Sequence, residues 1–289
     1  MTDDLPLIGF GLPVSGRWAT PETLRRIARR AEELGYASLW SFQRVLYPAS
    51  GELGPAHRSV LDPVVALAQA AAHTERIGLG TATICAPFTA PALLAKAMTA
   101  LDVVSGGRLT VGLGSGWLPQ EYAAAGVPFA RRGARMEEYL HCLHALWTQD
   151  PVEFAGEFYT VPRSHVGPPP VQRPHPPVLL GGTAPAALRR AGRLAQGWIA
   201  GSQHDRTRIG ADIATVRDGA RAAGRDPDAL RILVRLLPRG TREQQLDDLA
   251  ALRAQGVTEA FFDLNLAPHV DVAYAERVLE AFAPGWRQA

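Results

Sequence analysis

The sequence predicts an α/β fold in which a single domain, residues 1–289, forms a closed (β/α)₈ barrel, the TIM-barrel architecture. Apolar runs of strand length alternate with longer segments of helical periodicity along the whole chain, which is typical of βα units around a parallel sheet. The alternation occurs eight times in 289 residues. Barrels of this kind commonly contain about 250 residues or more in one domain, so the length agrees with the pattern.

The predicted strands and helices alternate in strict order. The strands are Leu7 to Phe10, Ser38 to Ser41, Ile77 to Thr83, Leu109 to Leu113, Val178 to Leu180, Gly197 to Ala200, Leu230 to Leu236 and Glu259 to Asp263. The helices are Pro21 to Leu34, Pro63 to Thr74, Pro91 to Ser105, Gly133 to Trp147, Pro185 to Ala195, Arg206 to Ala223, Arg242 to Gln255 and Val272 to Phe282. A doubly wound open sheet is the rival architecture, but nothing in the sequence marks the weak edge strands that it needs.

Local signals mark the ends of several helices. Thr20 and Asp62 each precede a proline, so each offers a capping side chain directly before a residue suited to the first helical turn. Gly35 and Gly256 stand where helices are expected to stop.

One segment, residues 148–177, interrupts the alternation. It contains two short aromatic strands around Ala155-Gly156, followed by a proline-rich tail that cannot be helical. The prolines of the tail are Pro162, Pro168, Pro169, Pro170, Pro174, Pro176 and Pro177. The segment is either a stiff surface excursion or, as we favour, a lid beside the mouth of the barrel, because long ordered loops are often functional.

Composition excludes several classes of protein. The net charge of +2 comes from scattered basic residues and gives no electrostatic footprint for nucleic acid. The start of the chain lacks the pattern of a signal peptide, and no apolar run is long enough to cross a bilayer, so a cytoplasmic protein without a membrane partner is expected. Cys85 and Cys142 lack the spacing of a disulfide framework or a zinc site, and no metal is predicted.

The candidate site residues follow the strands, because barrels of this type build their active sites from those loops. After strand 4, the alternate glycines of Gly112 to Trp117 (GLGSGW) allow close approach to a flat ligand, or they relieve a crowded turn. After strand 5, Gly181-Gly182-Thr183 leads into a helix whose free amides could bind an anion, or Thr183 is a plain helix cap.

Other strands are also followed by polar or aromatic residues. Gln43 and Arg44 follow strand 2, and Ile84 to Phe88 follow strand 3. His204 is the strongest candidate in the loop after strand 6, which it shares with Ser202 and Asp205, although adjacency in sequence does not make a nucleophile triad.

Several stretches taken together resemble one known family. They are AEELGYASLW, TERIGLGTATICAPFTAPALLAKAMTALDVVSGGRLTVGLGSGW, GVPFARRGARMEEYL, LWTQDPVEFAGEFYTVP, QRPHPPVLLGG and RLAQGWI. They resemble the luciferase-like monooxygenase superfamily, and particularly its deazaflavin-dependent oxidoreductases. The resemblance covers nearly the whole chain and implies a (β/α)₈ fold, a homodimer and a flavin-type cofactor with its ring in the mouth of the barrel.

The resemblance also implies roles for single residues. The Ala82-Thr83 bond corresponds to a non-prolyl cis peptide that backs the cofactor ring. The cofactor-binding residues implied are Ala82, Thr83, Ser115, Gly116 and Trp117 around the ring and Gly181, Gly182 and Thr183 at the phosphate. Some deazaflavin dehydrogenases carry an acid followed by a histidine after strand 2, whereas this chain has Gln43 and Arg44. This departure speaks against alcohol oxidation by that arrangement.

We therefore expect an oxidoreductase that moves a hydride between coenzyme F420, a deazaflavin, and a small organic substrate. The candidate catalytic residues are Gln43, Arg44 and His204, with Arg44 holding charge on the substrate or the cofactor. An FMN-dependent monooxygenase and a non-catalytic flavin-binding protein are the alternatives.

The choice of F420 over FMN depends on the resemblance and on charge. Arg131, Arg132 and Arg135 lie beyond the strand 4 loop and would favour the acidic tail of the deazaflavin coenzyme. The substrate itself is not predicted, because its pocket is built by loops around Tyr47 to His57 and by the proline-rich segment, and the fold does not settle the function.

Overall fold

The computed structural model describes residues 5–51, 53–267 and 270–284 and has a closed parallel barrel at its centre. The strands are β1 (Leu7–Gly11), β2 (Ser38–Ser41), β3 (Gly78–Thr81), β4 (Ile84–Cys85), β5 (Leu109–Gly114), β6 (Val152–Ala155), β7 (Thr160–Ser164), β8 (Val178–Gly181), β9 (Gly197–Ala200), β10 (Arg231–Leu236) and β11 (Glu259–Phe262). The sheet runs in the order β3-β2-β1-β11-β10-β9-β8-β5, and a further pairing of β3 with β5 closes it. The predicted (β/α)₈ barrel is confirmed.

The helices lie between the barrel strands, as predicted. They are α1 (Pro21–Glu33), α2 (Pro63–Ala71), α3 (Pro91–Val104), α4 (Pro119–Ala124), α5 (Arg132–Thr148), α6 (Pro185–Leu194), α7 (Ile209–Ala222), α8 (Arg242–Ala254) and α9 (Val272–Ala281). The short helix α4 is additional to the prediction, and the predicted start of α7 is instead a 3₁₀ turn over Arg206–Arg208. Among these described helices, none has the length and apolar character needed to cross a membrane.

The predicted third strand, Ile77 to Thr83, is interrupted. Ala82 and Thr83 separate β3 from β4, and the peptide bond between them is cis, as expected. Ala82 N donates to Ser41 O at 2.6 Å, and Thr83 O accepts a hydrogen bond from Gln43 N at 3.2 Å. The prediction of one continuous strand is wrong at these two residues, because the register against β5 shifts by one residue between the pairs Leu79↔Leu109 and Ile84↔Leu113, so the chain carries one extra residue here.

The predicted helix caps form as the sequence indicates. The Thr20 side chain accepts a hydrogen bond from Thr23 N, and the Asp62 side chain accepts from Val64 N and Val65 N. Each cap satisfies backbone donors that the first turn of a helix leaves free, which is worth roughly 1 kcal/mol per cap. Local sequence therefore sets where α1 and α2 begin.

Side chains fill the inside of the barrel in layers. At the N-terminal ends of the strands, Arg231 reaches across the barrel to Thr110 Oγ1 at 2.9 Å and pairs with Glu259. The middle layer is apolar and consists of Trp40, Ala82, Leu179, Ile199, Leu233 and Phe261. The barrel is thus a packed core, which leaves the C-terminal ends of the strands as the place for a site.

The inserted segment 148–177 packs on the outside of the barrel. The strands β6 and β7 form an antiparallel hairpin, and backbone N–H groups at its tip bond to the carboxylate of Glu138 on α5. The proline-rich tail instead contacts the opposite end of the barrel, where Gln172 Nε2 donates to Asp102 and to the carbonyl of Leu109, the first residue of β5. These contacts of the tail lie at the end of the barrel away from the mouth, and the lid function of the inserted segment stays a prediction, which we now assign to the hairpin tip.

Candidate active site

One side of the barrel mouth carries a polar layer directly above the apolar core. Arg235 of β10 forms an ion pair with Asp263, which follows β11, and its guanidinium lies 4.7 Å from the centre of the Phe42 ring. Asp263 Oδ1 also accepts hydrogen bonds from the backbone and side chain of Asn265 at 2.9 and 2.7 Å. These contacts fix a cation and a carboxylate inside the mouth.

Arg44 forms a second ion pair at the same level. Its Nη1 lies 2.8 Å from Glu121 Oε2, and its guanidinium lies 5.2 Å from the centre of the Trp117 ring. Both charged side chains are less than one tenth exposed. Arg44 Nε is buried and has no hydrogen-bond partner within the described residues, so this group retains a free donor.

His57 is the functional candidate that the sequence analysis missed. Its ring meets that of Phe42 edge-on, with 6.1 Å between ring centres, and its Nδ1 is buried with no partner in the described part of the chain. Burial lowers the pKa of His57, and the positive charges of Arg44 and Arg235 lower it further against the opposing effect of Asp263. A neutral imidazole therefore stands beside two guanidinium groups. The available signal was its position in the loop expected to shape the substrate pocket, but no motif marked it.

Glycines line the other side of the mouth. Gly114 ends β5, Gly181 ends β8, and Gly201 directly follows β9, so three adjacent strands end without a side chain. A Cβ at Gly114 would lie 2.9 Å from Thr83 Oγ1, and one at Gly181 would lie 3.3 Å from Thr83 Cγ2, whereas Gly201 faces open space. This side offers a surface with few side chains. Phe42 follows β2, across the barrel from β9, and Arg235 is on β10, the neighbour of β9.

Gln43 supports this surface. Its Oε1 accepts a hydrogen bond from Cys85 N at 2.9 Å, which ties the end of β2 to β4. Burial raises the pKa of the Cys85 thiol to about 12, which makes that side chain unsuited to act as a nucleophile. The contact gives Gln43 a positioning role, and its catalytic role stays a prediction.

The loop after β5 is held tightly against β4. Gly116 has a φ of +70°, and a Cβ there would lie 2.5 Å from Cys85 Sγ and 3.1 Å from Tyr122 Cε2. The hydroxyl of Tyr122 donates to Ser115 O. This packing turns the Trp117 side chain outward, 58% exposed, beneath Arg44. The predicted residues Ser115, Gly116 and Trp117 are thus at the mouth.

The turn after β8 precedes an uncapped helix. Gly182 has a φ of +123°, and Trp198 Nε1 donates to its carbonyl at 2.8 Å. The N-cap residue of α6 is Ala184, and no side chain caps this helix, so the reading of Thr183 as a plain cap is wrong. Gly182 and Thr183 are exposed, which leaves the positive end of the α6 dipole open to an anion, although Pro185 has no N–H and Ala187 N donates to Ala184 O at 2.8 Å.

His204 lies apart from the polar layer of the mouth. Its Nε2 is 2.7 Å from Asp212 Oδ2 on α7, and its ring meets Trp198 edge-on at 5.3 Å. Trp198 alternates along β9 with Ile199, which belongs to the barrel interior, so Trp198 faces the helices. The contacts place His204 in the outer layer, whereas Arg44 and His57 lie near enough inside the mouth for the charge of Arg44 to act on His57.

The three arginines expected to favour an acidic tail lie around the start of α5. Arg131 pairs with Glu157 at the tip of the hairpin, and Arg132 and Arg135 lie over the rings of Phe129 and Phe158, respectively. The charge of Arg131 is therefore shared with a carboxylate of the inserted segment.

Residues 9–287 match the family model of the luciferase-like monooxygenases. The chain belongs to this family. A protein of Mycobacterium tuberculosis, itself uncharacterised, is 33% identical to this luciferase-like chain over 290 residues, which cover 95% of this chain and 98% of the relative.

Two relatives with named activities match a similar share of this luciferase-like chain. The FMNH(2)-dependent dimethylsulfone monooxygenase of Pseudomonas putida is 32% identical over 82% of this chain and 63% of its own. The F420-dependent glucose-6-phosphate dehydrogenase of Nakamurella multipartita is 31% identical over 80% of this chain and 67% of its own.

A solved structure agrees with the fold. The monooxygenase RslO1 from Streptomyces bottropensis superposes with a TM-score of 0.78 at 25% identity and covers 96% of this chain and 97% of its own. Luciferase-like proteins with F420 and with FMN are both among the relatives, so this chain is an oxidoreductase or monooxygenase of the family.

Proposed function

We propose that this protein transfers a hydride between the deazaflavin coenzyme F420 and a small organic substrate at the mouth of its barrel. The observation that carries the proposal is the glycine-lined side of the mouth. Gly114, Gly181 and Gly201 end three adjacent strands, and a Cβ at the first two would press on Thr83. A planar ring needs such a surface, and the side chains of Phe42 and Arg235 limit the remaining space for a substrate.

The uncapped start of α6 fits the phosphate of such a cofactor. The positive end of its dipole favours a bound anion, and the φ of Gly182 lets the backbone approach closely. When bound, the deazaflavin would accept or donate the hydride.

The polar layer would then serve the substrate. In the tautomer that carries its hydrogen on Nε2, His57 can accept the proton of a substrate hydroxyl at its free Nδ1. Arg44 and Arg235 lie close enough to His57 to lower its pKa, so they would stabilise negative charge on the oxygen that loses this proton. This arrangement supplies a base beside two cations, without the acid and histidine pair that follows strand 2 in some relatives.

An FMN-dependent monooxygenase is the second candidate. The FMNH(2)-dependent relative is as similar to this chain as the F420-dependent one, and the monooxygenase RslO1 supports the same candidate at 25% identity. The glycine-lined surface and the start of α6 would accept either cofactor, because both carry a ring and a phosphate. The acidic tail of F420 distinguishes it from FMN, since Arg132 and Arg135 would attract this tail.

The test is titration of the protein, freed of any cofactor, with F420 and with FMN at low and high salt, followed by turnover with each reduced cofactor in the presence and absence of oxygen. We expect tighter binding of F420, a preference that weakens with salt, and turnover that needs no oxygen. Tighter binding of FMN with oxygen consumption would establish the monooxygenase instead. Binding without turnover on any substrate would favour a non-catalytic flavin-binding protein.

A further inference from the structure

A second cavity lies beside the mouth, between the loop after β9 and the loop after β10. Its volume is about 320 Å³. Its walls, which define the β9–β10 cavity, are Ser202, His204, Arg206, Leu237, Arg239, Gln245 and Asp248. None of these residues belongs to the polar layer around Arg44 and His57, so the cavity lies outside the groups assigned to the reaction above.

The charges in the β9–β10 cavity favour an anion. Burial lowers the pKa of Arg206, and the positive charge of Arg239 lowers it further, while Asp248 acts in the opposite direction. Two guanidinium groups, that of the half-buried Arg206 and that of the exposed Arg239, thus line one cavity with the exposed carboxylate of Asp248. A bound anion would relieve the repulsion between Arg206 and Arg239, which the solvent there screens incompletely.

His204 adds an unsatisfied polar atom to the same wall. Its side chain is 5% exposed, and its Nε2 faces the carboxylate of Asp212 at 2.7 Å. Its Nδ1 is buried without a hydrogen-bond partner among the described residues. In the tautomer that carries its hydrogen on Nε2, toward Asp212, Nδ1 is an acceptor. A ligand that carries a hydroxyl as well as negative charge would satisfy this acceptor in addition to the two guanidinium groups.

The walls are held in place by contacts outside the cavity. Trp198 packs against the His204 ring and donates to the Gly182 carbonyl at the turn before α6. On the other side, Arg239 N donates to the Gln245 side chain at 3.2 Å. The cavity is preformed, so binding requires little ordering of the protein.

We propose that the β9–β10 cavity binds the phosphate-ester group of the substrate. The group has both features, because its monoanion carries charged oxygens for Arg206 and Arg239 and a hydroxyl for His204 Nδ1. The assignment to a substrate rests on the function proposed above, whereas the binding of phosphate does not.

The test uses the full chain without cofactor and inorganic phosphate as the probe, measured by titration calorimetry. All variants carry Thr183→Asp, which adds negative charge at the start of α6 and removes phosphate binding there.

We expect Arg206→Gln to weaken phosphate binding by about tenfold or more, because it removes a charged donor. Asp248→Asn is expected to tighten binding several-fold, and Arg221→Gln, an exposed position on α7, is the matched control without effect. Sulfate, which has no hydroxyl at neutral pH, is expected to bind more weakly than phosphate.

Two outcomes would overturn the site: equal phosphate affinity in the Thr183→Asp protein with and without Arg206→Gln, or weaker binding with Asp248→Asn. Repeating the titration with F420 or FMN bound, in the protein with native Thr183, identifies the source. Phosphate that still binds in an Arg206-dependent manner supports a substrate group, whereas displacement by F420 alone assigns the cavity to the cofactor tail and overturns the proposal. If neither cofactor binds but the Arg206 and Asp248 effects persist, the proposed function fails and the anion site stands.

Discussion

Arg44 and Glu121 form an ion pair at 2.8 Å in the mouth of the barrel, with each side chain less than one tenth exposed. Glu121 Oε1 also accepts a hydrogen bond from Val45 N at 2.7 Å. One carboxylate on α4 thus holds both the cation and the backbone of the loop after β2. The pair couples the two loops that carry Arg44 and Trp117.

Removing the charge of Glu121 alone is expected to be costly. Glu121→Gln retains an oxygen for Val45 N but leaves Arg44 buried without its counter-ion, which we expect to lower the free energy of unfolding by about 3 kcal/mol. The double variant Arg44→Gln, Glu121→Gln removes both charges and is expected to recover most of that loss. Urea unfolding of the four proteins measures the coupling, and additive losses from the two single variants would contradict the buried pair.

The neutral state of His57 predicts a loss of stability in acid. Because the pKa of His57 is lowered from 6.5 in the folded protein, the unfolded chain binds a proton that the folded protein does not. The stability that depends on a neutral His57 is therefore present in full above pH 6.5, and it is lost as the pH falls from 6.5 toward the pKa of His57 in the folded protein. Urea midpoints measured between about pH 7.5 and about pH 5 should decrease as the pH is lowered, and His57→Gln should make the midpoint depend less on pH.

His144 provides a matched control for the role of His57 in activity. Burial also lowers the pKa of His144, which lies on α5 away from the mouth, so His144→Gln should flatten the stability curve in the same way. Only His57→Gln should abolish the acid limb of the pH profile of kcat/KM. An unchanged profile in His57→Gln would remove His57 from the reaction.

A methyl group at Gly116 should disturb the loop after β5. Its φ of +70° disfavours any side chain, and the added Cβ would meet Cys85 Sγ and Tyr122. We expect Gly116→Ala to destabilise the protein by about 2 to 3 kcal/mol and to weaken cofactor binding. Gly126→Ala is the control, because Gly126 has a φ of +68° but open space around it, so its cost of about 1 kcal/mol is conformational alone. Equal losses of stability in the two variants, measured by thermal unfolding, would contradict close packing between Gly116 and Cys85.

The charge at Thr183 tests where the cofactor phosphate binds. Thr183 is exposed before an uncapped helix, so Thr183→Asp should leave the fold intact and repel a phosphate at the start of α6. We expect Thr183→Asp to weaken the binding of both F420 and FMN by about tenfold or more, whereas Thr183→Asn, which is neutral and similar in shape, should have little effect on binding. Fluorescence titration gives both affinities, and unchanged binding to Thr183→Asp would move the phosphate elsewhere.

Much of the site was visible in the sequence as backbone features. Gly114, Gly116, Gly181 and Gly182 stand in motifs at the ends of predicted strands, and a glycine there has a local meaning that does not depend on its neighbours in space. The groups with side-chain chemistry were harder to place. His57 carries no motif, and Glu121 is separated from its partner Arg44 by 77 residues.

The sequence by itself determined the order and number of the barrel units, because helices and strands are specified by hydrogen bonds and apolar periods that span a few residues. The tertiary structure decided which side chains meet in the mouth. Closure of the barrel brings Arg235 over Phe42 and His57 beside both, places His204 in the outer layer with Asp212, and directs the proline-rich tail to the opposite end. Apart from the contact of His204 with Asp212, which are eight residues apart, these relationships join distant parts of the chain, so they follow from the packing of the whole barrel and have no local signature in the sequence.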